Sequence, residues 1–204
     1  MKKEQLNNLS GVCPIQLGFT SRSRLEESEQ EGVRCIQQGD LNKGEDLDFG
    51  TIKRFQLEGN IDRFKVSGGE VLFRSRAGQA VAEAVPEGLR EPCVVINPVM
   101  ILRPKSEVLL PGYLAWALNQ PWVQAQLSRD VRGTAVKMIP KSALERVRIP
   151  LPSKDVQKRL VDFDRLIARE SALLEALLDR RARWAEAIAG QLLNVDRIPK
   201  GAMQ

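Results

Sequence analysis

Beyond Ser153 the apolar positions of this chain fall into a helical rhythm. Val156, Leu160, Phe163, Ile167, Leu174, Leu177, Trp184 and Ile188 recur at spacings of mostly three and four, which predicts one long amphipathic helix. Its start is marked twice. Ile149-Pro150-Leu151-Pro152 forces an extended segment, because each proline fixes its own φ and disfavours helix in the residue before it. Ser153 then occupies an N-cap position, and Asp155 places a negative charge in the first turn. Gly190 and the later Pro199 suit a stop. Some 35 helical residues would reach roughly 50 Å at 1.5 Å per residue, more than one small domain normally covers. A helix of this length with one apolar stripe packs against another helix, in the same chain or a second copy; the competing reading folds it back on its own domain. With Leu160 at heptad position a, Glu170 takes a d position and Arg181 an a position. Such charges weaken a simple coil and are candidates to set its register.

From about residue 12 to 150 the pattern is shorter and broken by Gly and Pro every ten or so residues. Val33–Gln37 reads as a strand closed by a Gly39-Asp40 turn. Arg63–Val66 alternates polar with apolar, and Gly68-Gly69 turns the chain into a strand from Glu70 to Arg74. Cys93–Ile96 is a short apolar run that predicts a buried strand, followed beyond Pro98 by Val99–Leu102. Pro111 to Leu127 reads as two short helices broken at Pro121, and Ala143 to Ile149 as a helical turn that ends in a strand. The expectation is an α+β fold: a globular domain of short strands and loops over residues 1–150, a long helix over 151–190 forming an antiparallel coiled coil, and a tail over 191–204.

Composition narrows the function. Hydrophobic residues make up 43% and charged residues 28% of the 204, ordinary for a folded chain. No apolar run approaches the roughly 18 residues that suggest a membrane span, and the basic N-terminus lacks the apolar core of a signal peptide, so a cytoplasmic protein without a membrane role is expected. Cys13, Cys35 and Cys93 fit neither a zinc spacing nor a disulfide framework and read as reduced, buried thiols; no metal site is expected. There is no histidine, which excludes His-based acid–base chemistry and Ser-His or Cys-His nucleophiles. No Gly-Lys dipeptide occurs, so no Walker phosphate loop exists, and no Asp-x-Lys or Glu-x-Lys, which removes the end of a metal-dependent nuclease motif. Asn97-Pro98-Val99-Met100 lacks the second proline and the aromatic of an amino-methyltransferase motif. The chain reads as non-catalytic. Its net charge of +5 permits a polyanionic partner, with Lys and Arg dominant from Lys53 to Arg76 and from Arg129 to Arg148.

Several segments together resemble the specificity subunit of type I restriction–modification systems. Gly69-Glu70-Val71-Leu72-Phe73-Arg74-Ser75-Arg76-Ala77-Gly78 is similar to that family's Gly-Asp-(hydrophobic)-Leu-(hydrophobic)…Gly segment, with Glu70 in place of the commoner Asp. Leu114 to Leu127 resembles its Tyr-Leu…Leu…Leu helix, and Arg132-Gly133-Thr134 the Gly-Ser/Thr that follows. Ile149-Pro150-Leu151-Pro152, with Gln157, Arg159 and Leu160, resembles its Ile-Pro-Leu-Pro…Gln…Arg-Ile opening of a long helix. Full members carry two target-recognition domains and two long helices packed antiparallel as a spacer; this chain holds one of each. The resemblance therefore implies a half-length subunit that works as a homodimer on an interrupted palindrome, or a fragment of a longer protein.

Sequence reading of DNA requires Arg, Lys, Gln, Asn and Ser on loops that reach groove edges, with Lys or Arg on phosphates. Arg22, Arg24, Gln37, Arg74, Ser75, Arg76, Gln79, Arg132, Gly133, Thr134, Lys137 and Lys141 lie in or beside the predicted loops and are the candidate DNA contacts. Leu160, Phe163, Ile167, Leu174, Leu177, Trp184 and Ile188 are the candidate dimer or partner positions on the long helix. Asp179–Trp184, with its arginines, is a candidate docking segment. The resemblance implies double-stranded DNA, a methyltransferase subunit and a translocating restriction subunit as partners in phage defence. It implies no cofactor in this chain, S-adenosylmethionine binding instead to the methyltransferase. Two other readings compete: a coiled-coil interaction protein, and a stand-alone DNA-binding regulator.

Overall fold

A computed structural model describes residues 6–21, 25–28, 31–41, 47–75, 80–89, 91–130 and 138–193. In chain order its regular elements are β1 (Leu6–Asn8), α1 (Leu9–Val12), β2 (Ile15–Leu17), β3 (Glu26–Ser28), β4 (Val33–Ile36), β5 (Arg54–Gln56), β6 (Lys65–Val66), β7 (Val71–Arg74), β8 (Val81–Ala84), β9 (Cys93–Val95), β10 (Val99–Leu102), α2 (Pro111–Asn119), α3 (Pro121–Ser128), α4 (Lys141–Glu145), β11 (Arg148–Pro150) and α5 (Lys154–Leu193). The chain divides into two compact units, residues 1–161 and 162–204. The fold is α+β, with short strands in the first unit and a long C-terminal helix.

Two sheets build the first unit. One is antiparallel in the order β2-β10-β7-β8; the other runs β3-β5-β4-β9-β6, with β4 and β9 parallel. The all-apolar runs Val71-Leu72-Phe73 and Val99–Leu102 make sense between layers. Val71, Phe73, Met100 and Leu102 face a core shared with α1 to α4, whereas Leu72, Val99 and Ile101 face Ile36, Val66, Cys93 and Val95 of the second sheet. A strand covered on both sides needs no polar alternation. The far side of the second sheet gathers Cys35, Phe55, Phe64, Val94 and Ile96. A two-stranded antiparallel ribbon, β1 with β11, brings the start of the unit beside residues 148–150.

Prolines set the helical breaks. Pro111 and Pro121 each occupy the first turn of a helix, where a missing N–H costs nothing. Gln120, held extended before Pro121 at φ −71° and ψ 144°, ends α2 and opens α3. Side-chain amides finish exposed strand edges. Asn119 at the end of α2 donates to the Ala82 carbonyl (2.8 Å) and accepts from the Ala82 amide (2.9 Å), closing the outer edge of β8. Gln126 does the same for Arg148 on β11, at 3.1 and 3.0 Å.

One sequence expectation changes and another gains detail. Arg63–Val66 is not one strand: Asp62–Phe64 is a 3₁₀ turn, because the Asn60 side chain accepts the Asp62 amide and Ile61 O accepts the Phe64 amide; only Lys65-Val66 pairs with β9. After β4 the Gly39-Asp40 turn is a 3₁₀ turn over Gln38–Asp40. Strands β1, β2, β3, β5 and β8 had no counterpart in the sequence reading.

Candidate nucleic-acid interface

Of the candidate DNA contacts, Arg22, Arg24, Arg76, Gln79, Arg132, Gly133, Thr134 and Lys137 lie outside the described residues. The other four have definite surroundings. Gln37, half-buried after β4, donates its backbone amide to the Asp40 carboxylate at 2.7 Å. Arg74, at the end of β7, donates from Nη1 to the Leu41 carbonyl (2.7 Å), while its buried Nε has no partner among the described residues. Ser75 is placed inside the fold: it is 3% exposed and its hydroxyl donates to Pro98 O at 2.7 Å. That bond ties β7 to the turn between β9 and β10, so the hydroxyl is spent on the fold and not presented at a surface. Lys141 opens α4 and pairs with Glu145 at 3.4 Å; both side chains are partly exposed.

Lys141 also borders a cleft of about 950 Å³ that sequence reasoning did not anticipate. Residues 14–21 form one wall, Glu58–Asn60 and Arg63-Phe64 another, with Arg103 among its polar lining. Arg103 is heavily engaged. Its Nε donates to Glu70, Nη1 to Gln16 Oε1 (2.6 Å) and Nη2 to Arg63 O (3.2 Å). Gln16 in turn donates to Arg63 O at 2.7 Å. Arg63 lies over the Phe64 ring at 4.6 Å, and Phe64 meets Phe19 edge-on. These bonds cross-link the walls of the groove, whose lining includes the cations Arg63 and Lys141. The sequence signal for Arg103 was faint: a charged residue directly after four apolar ones.

Motif residues prove to be locks. Glu70 accepts the Ser67 amide at 2.7 Å as well as Arg103, pinning the turn that carries positive-φ Gly69 into β7. Gln157, fully buried on the first turns of α5, has every bond met: Oε1 accepts the Leu110 amide (2.8 Å), and Nε2 donates to Val108 O (2.8 Å) and Pro152 O (2.9 Å). Tyr113 adds a bond to Pro150 O at 2.9 Å. Ser153 O accepts the Val156 and Gln157 amides, so α5 begins where the prolines end. Leu160 and Val161 pack against the first unit's core, and Gly112 leaves room for Val161: a Cβ there would sit 3.3 Å from its Cγ1.

Farther along α5 the picture reverses. Phe163 is 62% exposed, Leu174 54%, Leu177 55% and Trp184 67%; Ile167 is exposed too, and Ile188 is half-exposed. Leu160, which lies within the first unit, packs on that unit's core.

Ionisation adds no reactive centre. Burial pushes the Cys13 and Cys35 thiols up to about 12 and Cys93 to about 11, which keeps them protonated and inert at neutral pH. Glu91 is held below the usual carboxylate range, first by the hydrogen bond from Arg54 (2.7 Å) and then, against some burial, by Arg34 (3.1 Å). Among the described residues no group of acidic, Cys or His side chains could hold a metal ion, and no helix is long and apolar enough to cross a membrane.

Comparison with known proteins gives one consistent picture. Three solved structures share the fold. A chain from a study of complex assembly and conformational transition of the type I R-M system aligns with a TM-score of 0.67 at 21% identity, over 92% of this chain and 44% of that one. The HsdS subunit from Thermoanaerobacter tengcongensis gives 0.61 at 21%, over 86% and 40%. The S subunit of a type I restriction–modification system from M. genitalium gives 0.54 at 13%, over 96% and 47%. This chain thus spans less than half the length of each. No curated protein matches it by sequence. The family model for the type I restriction modification DNA specificity domain matches residues 1–179, which covers the globular unit and more than half of α5, and the chain belongs to that family.

Proposed function

We propose that the chain is a non-catalytic, sequence-reading subunit of a type I restriction–modification complex, acting as a homodimer on an interrupted palindromic site. The family match over residues 1–179 carries this reading. Residues 1–150 read DNA, 151–190 form the spacer and dimer helix, and 191–204 are a tail. A solvent-facing stripe of large apolar side chains costs about 25 cal/mol per Å² relative to burial, and a second copy supplies a cover of the same chemistry. Two-fold symmetry then makes the target two identical half-sites read in opposite directions.

Contacts come from Arg22, Arg24, Gln37, Arg74, Arg76, Gln79 and residues 132–137. Lys141 and Arg63, in the lining of the cleft, meet phosphates. Chemistry is left to a methyltransferase subunit that binds S-adenosylmethionine, and to a translocating restriction subunit, all in the cytoplasm. Long-read methylome sequencing of a host strain with and without the gene tests this. Loss of methylation at one interrupted motif is expected; an unchanged methylome in a strain whose methyltransferase is intact overturns it.

A further inference from the structure

We propose that α5 pairs antiparallel with α5 of a second copy in one specific register, in which Glu170 of each copy meets Arg181 of the other. The inference rests on the homodimer reading above and adds the geometry of the seam. Along the helix Phe163, Glu170, Leu177 and Trp184 occupy d positions, and Ile167, Leu174, Arg181 and Ile188 occupy a positions. Antiparallel coils stack a against d of the partner. When Glu170 is set against Arg181, the remaining layers follow: Leu174 against Leu177, Ile167 against Trp184, Phe163 against Ile188. From Phe163 to Ile188 every apolar seam residue then meets an apolar one, and the two charges in that stretch meet each other. The two-fold axis falls between Glu175 and Ala176.

Alternatives fare worse. Sliding one helix by a heptad in either direction puts Glu170 against Leu174 or Ile188 and leaves both charges unpaired in an apolar layer. A parallel pair in register would set Glu170 on Glu170 and Arg181 on Arg181, repulsive at both levels. Both side chains are available: they are exposed, and among the described residues neither has an ion pair or side-chain hydrogen bond within the chain. Arg183, by contrast, is already paired with Asp179 at 2.6 Å on the outer side of the helix. Leu166, Leu173 and Leu178, all exposed, flank the seam and widen the apolar contact.

The dimer dissociation constant of the full chain, followed by light scattering across a dilution series, tests the register. Glu170→Arg and Arg181→Glu should each weaken the dimer by at least about tenfold, since each sets like charges in two layers, and the double variant should return close to wild type. A cross-linking experiment is independent of those energies. Glu170→Cys combined with Arg181→Cys should give a covalent dimer on mild oxidation, and neither single variant should; the native thiols are buried and do not compete. Wild-type affinity in both single charge variants, or cross-linking of either cysteine variant alone, overturns this register while leaving the homodimer standing. A wild-type chain that stays monomeric at every concentration overturns the homodimer reading itself.

Discussion

The globular unit and the distal part of α5 solve opposite problems with the same residue types. In the first unit even awkward groups are answered internally: Gln157 is fully buried yet bonded at three points, Glu70 is shared between Ser67 and Arg103, and Asn119 closes a strand edge. From Phe163 onward leucines, an isoleucine and a tryptophan stand exposed along one stripe. Buried polar groups satisfied within the chain mark a finished fold. Large apolar groups left in water over several turns mark a surface made for something else.

The most drastic way to break that contrast is to remove the stripe. Leu174→Asp with Leu177→Asp should convert the dimer to monomers by light scattering, with a loss of roughly 6 kcal/mol of association from two leucines in each copy. The unfolding midpoint of the globular unit should stay in place, and a drop there would show that the stripe also supports the fold. On the finished side, Gln157→Leu strands the Leu110 amide and the Val108 and Pro152 carbonyls in a dry site. Urea denaturation should show about 2–4 kcal/mol less stability. An unchanged midpoint would mean that α5 is not fastened by this residue.

Gly68→Ala comes next. A Cβ at this position would lie 2.6 Å from Glu87 Cα, which is backbone and cannot swing aside, so a loss of about 1–3 kcal/mol is expected. The smallest effect is on acid stability. Glu91 has its folded pKa below the unfolded value, so its pairs with Arg54 and Arg34 contribute above an unfolded pKa of about 4.3. That contribution disappears as pH falls through the folded value. Because the carboxylate is 44% exposed, the effect should stay under about 1 kcal/mol. Glu91→Gln should flatten the acid limb of the stability curve below the unfolded pKa of about 4.3, where this contribution is lost.

Some elements were legible directly from neighbouring residues. Pro111 and Pro121 fixed two helix starts, Pro150 and Pro152 held α5 off until Lys154, and the three-and-four rhythm of apolar residues marked its stripe. The apolar run at Cys93 announced a buried strand, and Glu70 to Arg74 a strand after the Gly68-Gly69 turn. β1, β3 and β5 passed unread, because a run of three residues carries too little periodicity to stand out. Of the candidate site, sequence supplied residue types without addresses. Arg74 and Lys141 could be named, but nothing local to Ser75 says that its hydroxyl would be taken by Pro98.

What the sequence by itself determined is therefore what short-range physics controls: locked φ angles, helix period and the inventory of chemistry that a chain without histidine cannot perform. Tertiary structure alone decided which polar groups would be locks. Arg103 reaches Gln16 across 87 positions and Gln157 reaches Leu110 across 47. Those bonds exist only once packing has brought distant segments together in a core where an unmet donor is costly.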